Sequence, residues 1–402
     1  MVVWTRCLQG KALRLVLCTQ PRSDRRRIRP RATRTDSLSR GGLEWQTAAM
    51  VAKGPAAAVS GKAVLKVAVL GTGALGKEHA RIYAELGEAG GVELAGVYDV
   101  RAEAAREVAG RLGVRAFETL EAAIAASEAV SVVTPTPTHY ELGRRLLEAG
   151  RHVLLEKPMT QEAGQAAELI TLAQRRGCVL QVGHVERFNP VFKYIQTVAT
   201  DPRFIEVHRL SPYPSRSTDI GVVMDLMIHD LDIVMAFVKS GVAAVEAVGM
   251  PVLSAAEDIA NARIRFDNGC VANLTASRIS PERMRKIRVF SQGSTPCYLS
   301  LDYRAQTGYV YRLASEGERE SSLLRKLLRA KDSAIVSQFA GRKIVREPVP
   351  LQKEEPLRLE LRHFVDSVHA RTAPLVTGES AKAALDLALE ITRQIQARIA
   401  AS

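Results

Sequence analysis

The feature that most constrains this chain is a glycine-rich turn, Gly71-Thr72-Gly73-Ala74-Leu75-Gly76, set between a short apolar run and a helix-like stretch. Residues 64–70 read as a buried strand, the pattern after Gly76 as a helix through about Leu86, and Val92–Tyr98 as a second strand ending at Asp99. Strand, glycine turn, helix and strand in that order make the unit that binds dinucleotides. Gly71 permits the tight turn, Gly73 lets a pyrophosphate approach the backbone, and Gly76 lets the helix pack closely on the sheet. The helix N-terminus offers unpaired amides to the phosphates. Asp99 follows Gly76 by 23 residues. A carboxylate there accepts both hydroxyls of an adenosine ribose and repels a 2′-phosphate, which favours NAD over NADP. Arg101 argues the other way, since a nearby guanidinium can pair with that phosphate.

The alternation continues along the chain. Residues 101–112 and 119–127 have helical patterns, and Ala129–Val133 reads as a strand. The loop Thr134-Pro135-Thr136-Pro137-Thr138-His139 follows, in which the prolines disfavour helix. A helix over 139–149 ends at Gly150, and a strand over 152–155 runs into Glu156-Lys157-Pro158. A helix over 161–176 stops at Gly177, and Val179–Val182 reads as another strand. Repeated strand–helix units predict a parallel sheet with helices on both faces. Ligands of such sheets sit beyond the carboxyl ends of the strands, where the 134–139 loop and the 156–158 tripeptide both fall. Lys157 is then either a catalytic or cofactor contact or a surface lysine before a turn proline.

Beyond Gly183 the pattern changes. Phe204–Leu210 reads as a strand, 211–219 as a Ser/Pro/Arg-rich loop, and 222–237 as an apolar helix carrying Asp225, His229, Asp230 and Asp232. Asp225 and His229 are four apart and share a helix face. A histidine near a carboxylate suits proton transfer, and the same spacing also serves a purely stabilising pair. Residues 243–250, 257–267, 269–278 and 285–291 have strand patterns, with a hairpin signal at Asp267-Asn268-Gly269-Cys270. An open antiparallel or mixed sheet is expected, with helices on one face and the other available for self-association. The segment 315–335 reads as a charged surface excursion; 356–370 and 379–399 close the chain as helices, with Ala384, Ala388, Ile391 and Ile395 on a packing face.

The net charge of +13 would suggest a nucleic-acid partner, but residues 1–62 hold 13 basic and 3 acidic residues, leaving a balance of only +3 in the rest. Those first residues read as a disordered leader or sequence upstream of the true start, with Met50 as an alternative beginning. Expected domains are therefore the leader 1–62, a dinucleotide-binding domain over 63–184, and a substrate and oligomerisation domain over 185–402 whose last helix packs back on the first. Cys178, Cys270 and Cys297 form neither a disulfide framework nor a clustered metal motif. No metal, no transmembrane segment and a cytoplasmic setting are expected.

In this order the glycine fingerprint, the 134–139 loop, Glu156-Lys157-Pro158 and Asp225-x3-His229-x2-Asp232 resemble the glucose–fructose oxidoreductase/inositol dehydrogenase family over residues 64 to about 400. The resemblance implies a Rossmann domain followed by an α/β domain with a large open sheet. It implies Lys157 as the active-site lysine, His229 as acid/base and Asp225 as the acid of the same helix. It places Gly71–Gly76, Asp99, Val100, Thr134, Pro135, Thr136, His139, Glu156, Lys157 and Pro158 around NAD. Met227 departs from the glycine that many relatives carry there. The segments 185–190, 208–213 and 222–232 resemble, more narrowly, bacterial members associated with lipid A synthesis. That implies oxidation of UDP-N-acetylglucosamine at its 3-hydroxyl, a downstream aminotransferase, and substrate contacts from Arg187, Asn189, Arg209 and Arg216. The alternatives are a dehydrogenase of another sugar, a non-redox enzyme that recycles bound NAD, and an NAD(H)-sensing binding protein. A homodimer or homotetramer is expected.

Overall fold

Strand β1 (Leu65–Leu70) is buried at every position but Lys66, as a strand between two helical layers must be. The computed structural model describes residues 63–213, 220–314, 334–339 and 342–401. The expectations for the leader, for Arg216 and for most of 315–335 lie outside the described residues. After β1 come α1 (Ala74–Glu88), β2 (Val92–Tyr98), α2 (Ala102–Leu112), β3 (Arg115–Ala116), α3 (Leu120–Ala126) and β4 (Ala129–Val132). Then come α4 (His139–Glu148), β5 (His152–Glu156), α5 (Ala163–Arg176) and β6 (Leu180–Gly183). All pairs in this sheet are parallel, in the order β3-β2-β1-β4-β5-β6.

The strand order reverses between β1 and β4, which opens a crevice at their carboxyl ends. Helices end where the sequence predicts: Gly113 and Gly177 take left-handed conformations past α2 and α5. The prolines of the 134–139 loop do not exclude all helical structure, because Thr136–Thr138 forms a single 3₁₀ turn. Pro137 lies in its first positions, where a missing N–H costs little.

The second sheet has nine strands in the order β14-β15-β13-β12-β11-β7-β10-β9-β8. They are β7 (Pro202–Leu210), β8 (Val242–Met250), β9 (Ile259–Phe266), β10 (Val271–Ser277), β11 (Met284–Ser291), β12 (Cys297–Asp302), β13 (Thr307–Leu313), β14 (Ala334–Phe339) and β15 (Arg342–Pro348). Only β7 and β10 pair in parallel. Helices α6 (Pro190–Val198), α7 (Ile228–Val238) and the last helix pack one face through Phe192, Ile195, Leu231, Val234, Ile391 and Ile395. The predicted helix over 222–237 begins as a wide π turn, Val223–Met227, which its apolar pattern does not foretell.

Helices α8 (Pro356–Ala370) and α9 (Gly378–Ala401) both return to the first sheet. Leu361, Phe364 and Val365 of α8 pack with Val67, Val69 and Tyr83 on one face. Ala381 and Leu385 of α9 pack with Leu155, Leu169 and Leu180 on the other, while its Ala388, Ile391 and Ile395 join the core of the second sheet. One helix thus ties both cores together. Among the described residues no helix is long and apolar enough to cross a membrane.

Candidate active site

The glycine turn has the backbone that its residue types demand. Gly71 takes φ +90°, and a Cβ there would lie 2.3 Å from the Val133 carbonyl oxygen. A Cβ on Gly76 would lie 1.9 Å from the Gly71 oxygen, so neither position admits a side chain without displacing backbone. Gly73 caps α1 and has nothing within 4 Å of where its Cβ would point, leaving open space at the helix N-terminus. Thr72 is buried and holds Asp99: its amide and hydroxyl both donate to Asp99 Oδ2, at 2.7 and 2.9 Å. The Arg101 amide donates to Oδ1 at 2.9 Å. Partial burial works against ionisation of Asp99, but these hydrogen bonds and the Arg101 charge outweigh it and hold its pKa below the usual value. Ala74, Leu75 and Val100 line the same cleft, and Val100 is largely exposed there.

The 134–139 loop and the 156–158 tripeptide are joined by His139. Its Nδ1 lies 2.8 Å from the Pro158 oxygen and its Nε2 2.8 Å from the Thr134 oxygen. The ring is buried, and burial lowers its pKa, so it is a brace between two loops rather than a group facing the cleft. Thr134 and Pro135 line the cleft together with Pro137 and Thr138; Thr136 and Pro158 do not. The Lys157–Pro158 peptide is cis. Glu156 is buried beneath this loop, 3.2 Å from His79 Nε2, and its carboxylate fills the space that a Cβ on Gly183 would need. Burial opposes its ionisation, yet His79 and Lys157 keep its pKa below the usual value. Glu360 lies near it with neither carboxylate oxygen hydrogen-bonded. Burial, then the charges of Glu156 and Asp232, push the Glu360 pKa well up.

Lys157, Asp225 and His229 converge from the two halves of the fold. Lys157 Nζ donates to the Asp225 carbonyl at 2.6 Å and lies 3.3 Å from Asp225 Oδ1. The acid that shares a helix with the histidine is therefore paired with the lysine of the first domain. His229 faces the cleft, and its Nδ1 is buried without a hydrogen bond. Burial first, then the charges of Lys157, Arg209, His184 and Arg285, hold its pKa well below 6.5. The ring is neutral at neutral pH and free to accept a proton, beside an ammonium that can stabilise a developing alkoxide.

The expected substrate contacts divide. Arg187 pairs with Asp232 at 3.2 Å and with the Leu375 carbonyl, away from the cleft. Arg209 touches the cleft, but it is buried and bidentate to Asp230, at 2.8 Å to each oxygen, with Glu186 at 3.2 Å. Asn189 caps α6 and donates to Glu186 and to the Tyr303 carbonyl. Glu186, Arg285, Tyr303 and Arg304 also line this wall. Sequence reasoning missed Tyr303 and Arg304 because it did not predict β12 and β13, whose turn brings them here, and missed Arg285 because no motif marks it on β11. One cleft of about 1460 Å³ runs from the glycine turn past Lys157 and His229 to these residues of the second sheet. That exceeds the usual single-ligand pocket of roughly 300–1,000 Å³ and suits two ligands side by side. Among the described residues no group of three His, Cys, Asp or Glu side chains is placed to hold a metal ion.

Comparison with known proteins agrees with this fold. The profile described as "Oxidoreductase family, NAD-binding Rossmann fold" matches residues 65–184, and that of the "GFO/IDH/MocA C-terminal domain" matches 195–294. The chain is 35% identical over 334 residues to the UDP-N-acetylglucosamine 3-dehydrogenase of Acidithiobacillus ferrooxidans, covering 83% of this chain and 98% of that protein. A solved structure of that enzyme superposes with a TM-score of 0.74 at the same coverage. The scyllo-inositol 2-dehydrogenase (NAD(+)) of Bacillus subtilis is 25% identical over 358 residues, covering 83% of this chain and 94% of that one.

Proposed function

This chain belongs to the GFO/IDH/MocA oxidoreductase family, and from that premise we propose that it oxidises the 3-hydroxyl of UDP-N-acetylglucosamine. It is an NAD-dependent oxidoreductase acting on a sugar hydroxyl. The glycine turn fits the dinucleotide: Gly73 leaves open space at the α1 N-terminus, and the ionised Asp99 is fixed beside it. When bound, NAD supplies the acceptor for the hydride that leaves the sugar carbon. The chain's own residues manage the proton and the charge. Neutral His229 accepts the proton of the sugar hydroxyl. The Lys157 ammonium donates a hydrogen bond to the oxygen as negative charge develops on it. Asp225 holds Lys157 in place and balances its charge.

The observation that carries the substrate is likeness over nearly the whole length of a UDP-N-acetylglucosamine 3-dehydrogenase. The 3-keto product would pass to an aminotransferase, which draws forward an otherwise uphill oxidation. The open face of the nine-stranded sheet is proposed to make a homodimer or homotetramer. It carries a row of rings from Phe204 through Phe290 and Tyr298 to Tyr311, in register across four strands, with centroids 4.6–5.8 Å apart.

The test is NADH formation by the full chain with NAD and UDP-N-acetylglucosamine, a glutamate-dependent aminotransferase removing the ketone. Sustained NADH with a 3-amino sugar nucleotide by mass is expected. The acid limb of kcat/KM should lie well below pH 6.5, where His229 becomes protonated. Lys157→Ala should lose about 100- to 10,000-fold in kcat. Full turnover by that variant removes Lys157 from the mechanism, and activity on a free cyclitol but not on the nucleotide sugar overturns the substrate.

A further inference from the structure

The cleft wall formed by the second sheet holds more positive charge than its own carboxylates neutralise. Strands β7 and β11 set Arg285 directly across from Arg209, and the Tyr303 amide donates to the Arg285 carbonyl on the other side. Like charges facing each other on adjacent strands repel, so this row needs anions. Arg209 has them in Asp230 and Glu186. Arg285 has only a share of Glu186 Oε1 at 3.3 Å, the oxygen already bonded to Arg209, and its side chain is 51% exposed. Arg304, next along the chain from Tyr303, makes no side-chain hydrogen bond or ion pair with any described residue. The Tyr303 side chain also lines the cleft, but its hydroxyl is enclosed among Glu186, Asp230, Arg209 and Asp232. Burial, then the Arg209 and Arg304 charges, lower the Arg285 pKa, the electrostatic sign of guanidiniums crowded without sufficient counter-charge.

We propose that Arg285 and Arg304 form a subsite for the diphosphate of a nucleotide sugar. Guanidinium forks pair with phosphate oxygens in a bidentate manner. The subsite shares the cleft with Lys157 and His229 and is built on the second sheet rather than on the glycine turn, so it serves the substrate's diphosphate and not the cofactor's. Arg209, already paired internally, shapes the wall without binding the ligand, and Arg187 lies away from the cleft. The proposal rests on the nucleotide-sugar reading above.

Kinetics of Arg285→Ala and Arg304→Ala in the full chain, at saturating NAD and pH 8, test it. Each arginine variant should raise the KM for UDP-N-acetylglucosamine about 10- to 100-fold, with kcat within a few-fold and the KM for NAD unchanged. Inhibition by UDP should weaken in parallel, and Arg285→Lys should fall between wild type and Arg285→Ala. Arg304 is exposed, so its replacement leaves the fold intact, as a melting curve verifies. An unchanged KM for the nucleotide sugar in both arginine variants overturns the proposal, as does an equal loss of NAD affinity. If the wild type does not turn over UDP-N-acetylglucosamine, the substrate reading fails by itself. Calorimetry of UDP on the NAD-loaded protein then decides the subsite: binding abolished by Arg304→Ala supports it, and no binding to wild type overturns it.

Discussion

A carboxyl group with no hydrogen-bond partner, enclosed in protein, sits close behind the candidate site at Glu360. Its pKa is raised well above 4.5 by burial and by the neighbouring Glu156 and Asp232. The folded protein therefore keeps a proton that the unfolded chain releases above the ordinary carboxylate range. Folded binds more protons than unfolded, so stability is greatest below pH 4.5 as far as this group is concerned, and falls as pH rises toward the raised value. Glu360→Gln mimics the protonated form and removes that dependence. Its melting temperature should exceed that of wild type by a gap that widens to a few degrees between pH 5 and pH 8. A constant gap across that range would mean that Glu360 does not titrate in the window. Glu156, only a short distance away, is held ionised by His79 and Lys157. Two carboxylates in one interior thus take opposite charge states because only Glu156 has His79 and Lys157 beside it.

At the scale of elements, the glycine turn is fixed by contacts that a Cβ would occupy. Gly76→Ala places a carbon 1.9 Å from the Gly71 oxygen and must push α1 away from the turn. Overpacking of this kind costs about 1–3 kcal/mol, and here it also moves the amides proposed to face the pyrophosphate. The variant should fold with a lower melting temperature and bind NAD at least about 10-fold more weakly, as measured by fluorescence titration of NADH. NAD affinity equal to wild type would show that the helix N-terminus does not meet the phosphates. The π turn Val223–Met227 has a comparable part on the substrate side: it presents the Asp225 carbonyl and carboxylate together to Lys157.

At the scale of the whole molecule, the nine-stranded sheet covers one face with helices and leaves the aromatic row on the other, with Phe290 41% exposed. Phe290→Glu would place a charge in the proposed subunit interface and should convert the oligomer to a monomer in light scattering, with NADH binding retained; an unchanged mass removes this face from the interface. The sequence by itself determined the first sheet almost strand for strand, because helical and strand periodicities there are clean and three of its helices carry a stop at Gly113, Gly150 or Gly177. It also singled out Lys157, Asp225 and His229, since short motifs carry them. It did not show β12, β13 or β15, where half-exposed strands such as Cys297–Asp302 mix polar and apolar residues. Tertiary structure alone decided the pairing of charges. Asp225 turns to a lysine 68 residues away rather than to the histidine on its own helix face, and Arg187 and Arg209 are used up by Asp232, Asp230 and Glu186. Local spacing says which groups can share a helix face; which opposite charge each one meets depends on how the sheets pack, because the energy of an ion pair is set by distance and burial and not by sequence separation.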